Sequence, residues 1–216
     1  MIGSANVDWE PIVLALITFI VSTTVHEAAH ALFAKLGGDL TAYRGGQVTL
    51  NPLPHIRREP VGMVLIPLIT LYWSGGESCF GYASTPIDPF WAIRHPRRAA
   101  LMSAAGPLAN LLLAALAFAL LAGVGHAESG TAEALVRIAK MFLFLNVLLC
   151  AFNLVPLPPL DGAGVLQGLV PALRPLYDAI RSQSFSGLVT MIIVVNYVVP
   201  HVYELVRWLY RLAGQR

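Results

Sequence analysis

Two histidines and a glutamate stand together at His26-Glu27-Ala28-Ala29-His30. On a helix, positions i and i+4 share a face, so the two imidazoles can converge on one zinc ion while Glu27, about 100° round the axis, reaches a water on that ion. This is the equipment of a zinc hydrolase, in which the metal activates water and a carboxylate takes its proton. The pattern also arises by chance, so its surroundings carry weight. They are apolar from about Pro11 to Leu36, and ionisable groups in such a segment are costly and seldom face lipid. The bland alternative is a polar cluster that ties neighbouring helices together by hydrogen bonds. Such a cluster has no need of histidines one turn apart with an acid between them.

Catalytic zinc commonly takes three protein ligands and keeps one position open. Elsewhere at membrane depth, the acid in suitable surroundings is Asp161, within Asn153-Leu-Val-Pro156-Leu-Pro158-Pro159-Leu-Asp161-Gly162. Three prolines remove three backbone donors and forbid a regular helix, so the chain must unwind where Asp161 appears. Broken backbone at that depth is tolerated when it is buried in protein or lines a wet cavity, which frees Asp161 to point inward. Two neutral imidazoles, one carboxylate and a divalent zinc leave one positive charge, which ionised Glu27 can balance. Asp161 also suits a helix cap ahead of Ala163, and the two roles are compatible.

The elements that must position these groups are membrane helices. Of 216 residues 56% are hydrophobic and only 12% charged, against about 25% charged in soluble domains. Runs of about 20 apolar residues, the length that crosses a bilayer, cover Pro11 to Leu36, Ala99 to Val124, a segment from Ala134 to about Leu160, and Gly187 to Val206. Two shorter apolar pieces, Val61 to Trp73 and Ala163 to Leu173, are expected to be re-entrant, tilted or interfacial. Between Gly and Pro punctuation, Arg44 to Pro54 alternates in a way that suggests a short β-strand or hairpin after the first helix. The expected fold is therefore an all-α polytopic membrane protein, one domain over residues 1–216, with about four full transmembrane helices. Asp8 and Glu10 open the first run where a signal peptide would be basic, so that run is expected to stay as a helix.

A net charge of +2 is too small to suggest nucleic acid binding. Cys79 and Cys150 are far apart, and a disulfide or metal role for them is not expected. Lys35, Arg44, Arg57, Arg58, Arg94, Arg97 and Arg98 lie between the first two long helices, and Glu128 and Glu133 between the second and third. The positive-inside rule then makes the first stretch cytoplasmic, with Arg207, Arg211 and Arg216 on the opposite side against the trend. His55, His95, His126 and His201 are expected to be solvated or interfacial, and Trp9, Trp73, Trp91 and Trp208 to be belt residues at the interfaces.

Taken together, His26-Glu-Ala-Ala-His30, Gly106-Pro107-Leu-Ala-Asn110 and Asn153 through Asp161-Gly162 resemble the site-2 protease family of intramembrane zinc metalloproteases. Leu50-Asn51-Pro52-Leu53 and Phe80-Gly81-Tyr82-Ala83 look like its compact branch without added domains, and the resemblance covers roughly residues 20 to 165. It implies one zinc per chain on His26, His30 and Asp161, Glu27 as general base and acid, and Asn153 as a polar partner near the scissile carbonyl. Asn153 could equally pack between helices, and Asn110 and Asn146 are read more readily in that way. Two departures stand out. An Asp-Pro commonly follows His-Ile in that branch, where this chain has Arg57-Arg58-Glu59-Pro60, and a Lys-Pro often follows Gly-aromatic-Ala, where it has Ser84-Thr85-Pro86. Both bear on substrate preference and touch no expected ligand.

The resemblance implies hydrolysis of peptide bonds within or near transmembrane segments of membrane proteins. The expected setting is a prokaryotic cell membrane, with the active site nearer the cytoplasm. Partners would be the lipid bilayer and a transmembrane substrate, with homo-oligomerisation left open. A helical substrate must unwind to expose a carbonyl, and the expected strand at Gln47 to Leu50 could hold it by edge pairing or could be a surface hairpin alone. A metal transporter is the rival reading, but it would favour several carboxylates or histidines along a route, and often an internal repeat. An inactive relative acting as a binding partner would need no acid beside the metal.

Overall fold

The computed structural model describes residues 8–124 and 130–215. His126, Glu128 and Arg216 lie outside the described residues. Among the described residues four helices are long and apolar enough to cross a membrane: α1 Trp9–Gly37, α6 Pro96–Val124, α7 Gly130–Asn153 and α10 Ser186–Leu212. Shorter helices fill the connections, with α2 Thr41–Arg44, α3 Pro52–Arg58, α4 Val61–Ser74 and α5 Pro89–Arg94 between α1 and α6. After α7 come α8 Asp161–Leu169 and α9 Arg174–Arg181.

α1 is the central helix. Of its apolar window 56% is buried, against 28% for α6 and α7 and 22% for α10, so polar side chains on α1 are shielded from lipid. It packs mainly on α6, whose buried residues include Ala99, Met102, Ser103, Ala105, Gly106 and Asn110. Small residues there let two backbones approach closely, as membrane helices without a hydrophobic driving force require. The largest apolar cluster joins α6, α7 and α10 through Ala114, Leu121, Leu143, Val202 and Val206.

Proline shapes the two irregular helices. In α4 a wide π turn at Val61–Leu65 comes just before Pro67, and in α10 another at Val194–Val198 comes just before Pro200. Each proline lacks the N–H for an i−4 bond and its ring crowds the preceding turn, which the wider turn relieves. With 14 residues α4 reaches only ~21 Å, short of a ~30 Å apolar layer, and α8 with 9 residues is shorter still.

The expected β-hairpin after the first helix is not present, and no strand occurs among the described residues. The punctuation that suggested it serves helix ends instead. Gly38 caps α1 in the left-handed conformation (φ 100°), Gly46 turns the chain at φ 72°, and Asn51 accepts from Leu53 N at 3.0 Å to start α3 ahead of Pro52. Gln47 N bonds back to Ala42 O in a local turn, so no partner strand is formed. His55 is 1% exposed, with Nε2 against Thr49 O at 3.1 Å, and so is a buried residue rather than a solvated one. Trp91 also departs from the belt reading. It is buried and donates its indole N–H to Gly37 O at 3.0 Å, locking α5 against the end of α1.

Candidate metal centre

His26, Glu27 and His30 all lie on the buried part of α1. The i, i+4 spacing sets the two rings edge to face, 4.6 Å between centroids and 81° between planes. Their Nε2 atoms are 2.9 Å apart. Asp161, distant in sequence, completes a triangle: its Oδ2 is 3.1 Å from His26 Nε2 and 3.2 Å from His30 Nε2. The stretch from Leu154 to Leu160 leaves the α7 axis in short turns and delivers Asp161 as the first residue of α8, where its carboxylate caps nothing and faces the imidazoles.

Gly106 explains how α6 lies over the pair. A β-carbon there would come within 2.5 Å of His26 Nε2, so hydrogen is the side chain that fits. A β-carbon on Gly162, beside Asp161, would meet Val155 O at 2.5 Å. The backbone can fold tightly behind the carboxylate because neither position carries a side chain.

The partners of the outer ring nitrogens decide what the site can hold. His30 Nδ1 lies 2.7 Å from the backbone oxygen of Met102, and His26 Nδ1 lies 2.5 Å from Asn110 Oδ1. Both partners only accept, so both Nδ1 atoms carry protons and both Nε2 lone pairs point inward. Two lone pairs and a carboxylate within 3.2 Å of one another repel unless a metal ion or a proton lies between them. Ligand atoms about 2.0–2.1 Å from a tetrahedral zinc stand roughly 3.3 Å apart. The donor set, its spacing and its outer hydrogen bonds, of the kind that orient metal-ligating histidines, all fit zinc. Among the described residues this is the one group of three histidine, cysteine or acidic side chains close enough to hold an ion.

Glu27 is 5% exposed, and Thr85 Oγ1 donates to its Oε2 at 2.7 Å. A cavity of about 590 Å³ opens beside it, walled by Thr23, His26 and Glu27 of α1, by Gly81 to Ser84, by Asn153 and Asp161, and by Gly187, Thr190 and Met191 of α10. Asn153, half-buried at the end of α7, spends its amide N–H₂ on Leu149 O at 2.9 Å and lines the cavity. Thus the structure brings His26, Glu27, His30, Asn153 and Asp161 to one place. Sequence reading missed Thr85 and Met102. Thr85 lay in a noted departure, Ser84-Thr85-Pro86, but a backbone carbonyl such as that of Met102 leaves no mark in sequence.

Four membrane-length apolar helices around a triangle of two histidines and a carboxylate that could hold a metal ion are the features of a membrane metalloprotein. Residues 122–199 match peptidase family M50. "Putative zinc metalloprotease YwhC" of Bacillus subtilis is 38% identical over 162 residues, which is 72% of this chain and 68% of that protein. "Putative zinc metalloprotease Rip2" of Mycolicibacterium smegmatis is 31% identical over 94% of this chain and 74% of its own length. The protein of the same name from Mycobacterium tuberculosis is 30% identical over the same shares. No solved structure matches the chain. The chain belongs to peptidase family M50, the site-2 protease family of zinc metalloproteases.

Proposed function

We propose that this chain hydrolyses peptide bonds within or near transmembrane segments of membrane proteins, as an intramembrane zinc endopeptidase with Glu27 as general base. The observation that carries the reading is the triangle of His26, His30 and Asp161 with Glu27 beside it, on the most buried of four membrane-length helices. Zinc held there would supply a water of lowered pKa and a Lewis acid for the peptide carbonyl. Glu27 takes the water's proton; Thr85 occupies Oε2, and among the described residues no group bonds Oε1, which leaves that oxygen to receive it. The same carboxyl then passes the proton to the leaving amine. Asn153, which lines the same cavity, has a second amide hydrogen beyond the one given to Leu149 O with which to orient the substrate carbonyl, and a cavity of about 590 Å³ has room for an unwound stretch of backbone rather than a whole helix.

His26 sits 11 residues before the end of α1, ~16 Å at 1.5 Å per residue, so the centre lies nearer the end that carries Lys35, Arg44, Arg57, Arg58 and Arg94 to Arg98. That charge bias supports a cytoplasmic setting for this end in a bacterial cell membrane. Reconstitution with a transmembrane peptide, with and without a chelator, tests the reading. Glu27→Gln should keep its zinc and lose cleavage by at least about 100-fold. Cleavage by the Gln variant at the wild-type rate would remove Glu27 from the mechanism, and metal flux across the vesicles unchanged by that substitution would favour a transporter instead.

A further inference from the structure

Asn110 and Asn146 are both 0% exposed among α1, α6 and α7, and together they connect His26 to a backbone carbonyl that has no part in the site. At the far end, Asn146 Nδ2 meets Phe142 O at 2.9 Å and Ser22 Oγ at 2.9 Å. A carbonyl only accepts, so the amide N–H₂ of Asn146 must lie on that side and its Oδ1 on the other. Oδ1 stands 2.8 Å from Asn110, which must therefore offer its own N–H₂ there. Ser22 O, a second group that only accepts, lies 3.4 Å from the same nitrogen and requires the same orientation. Asn110 Oδ1 is thereby turned to His26 Nδ1 at 2.5 Å, and the proton of His26 is held on Nδ1.

We propose that Asn146, which touches neither the ligand atoms nor the cavity, is a positioning residue of the metal centre. Through the shorter of the two contacts on Asn110 Nδ2, 2.8 Å against 3.4 Å to Ser22 O, it holds the direction of the Asn110 amide and so selects the His26 tautomer whose Nε2 can bind zinc. The proposal rests on the zinc reading given above. A reversed Asn110 would present N–H₂ to Nδ1, forcing the proton onto Nε2, where it would point at Asp161 and His30 in place of the ion. His30 needs no such relay, because Met102 O can only accept.

Zinc affinity of the purified full chain in detergent, measured by competition with a chromogenic chelator, separates this role from helix packing. Asn146→Leu keeps the volume and suits an apolar bundle, so packing alone would tolerate it; the relay predicts zinc affinity lower by about 10- to 100-fold. Adding Asn110→Asp to that variant should restore affinity to within about threefold, because a carboxylate accepts from His26 whichever way it turns. If the Leu variant is not monodisperse, Asn146→Ala, also lacking the amide, is read the same way. Wild-type affinity without the Asn146 amide, or no recovery on adding Asn110→Asp, would overturn the proposal. His30→Ala serves as control: if wild type takes up no zinc, or His30→Ala does not weaken it, the zinc reading fails first and the relay with it.

Discussion

Thr85 donates its hydroxyl proton to Glu27 Oε2 at 2.7 Å and also lies 3.0 Å from the backbone oxygen of the same glutamate. The segment that brings it there is pinned at several points. Tyr82 N bonds Gly62 O at 3.0 Å, Ser84 Oγ bonds Glu59 Oε1 at 2.5 Å, Arg58 Nε bonds Ser84 O at 3.0 Å, and Asp88 N bonds Asp39 Oδ2 at 2.8 Å. Glu27 is thus held from the segment that follows the cavity wall at Gly81 to Ser84 rather than from its own helix. Thr85→Val keeps the shape and removes the donor. A hydrogen bond to a charged group is worth ~1.5–3 kcal/mol, so kcat should fall roughly 10- to 100-fold with zinc content unchanged, while Thr85→Ser stays near wild type. A Val variant that turns over normally would show that Glu27 does not depend on this contact.

Gly106 offers a steric prediction at the metal centre. Even alanine would set a β-carbon within 2.5 Å of His26 Nε2, and that nitrogen cannot retreat without leaving the Asn110 bond or the triangle. Gly106→Ala should therefore lower zinc occupancy of the purified protein by about 10-fold or more while the helical circular dichroism is retained. Full occupancy would mean that α6 can shift away from the histidines at little cost.

The four long helices were legible because a run of about 20 apolar residues has few other fates, and the i, i+4 histidines were legible because helical periodicity alone aligns them. The prolines before Asp161 marked the unwound stretch for the same local reason. The hairpin reading of Arg44 to Pro54 went wrong because Gly, Asn and Pro punctuate helix caps as readily as strand ends, and only partner geometry separates the two cases. Asn110 and Asn146 were visible as membrane asparagines, but which way the amides turn is set from Phe142 O through Asn146 to Asn110, with Ser22 O as a longer second contact. Those are backbone atoms that every residue possesses, so their placement emerges from packing.

Cys79, in the segment between α4 and α5, has a thiol that burial pushes up to about 12. The reactive thiolate is therefore scarce at pH 8. Labelling by iodoacetamide at pH 8 should be far slower for Cys79 in the folded protein than after denaturation, as read by mass spectrometry of the labelled peptide. Equal rates in the two states would show that this segment opens readily to solvent.

Asp39 makes a pH prediction whose sign can be worked out. Burial by itself would raise its carboxyl, but hydrogen bonds from the Thr41 hydroxyl at 2.6 Å, Asp88 N at 2.8 Å and Thr41 N at 2.8 Å hold it below the usual carboxylate range. A depressed folded-state pKa means that the ionised form favours folding. The contribution is therefore complete above the unfolded value near ~4 and disappears as pH falls through the lower folded value. Because Asp88 N is one of the donors, the tie joins the end of α1 to the segment carrying Thr85. Asp39→Asn, which can offer only one accepting oxygen, should lower the thermal midpoint at pH 7 by roughly 3 °C. The gap to wild type should narrow as the pH is taken below ~4. A gap that stays constant down to acid pH would assign the cost to packing and remove the ionised carboxylate from the argument.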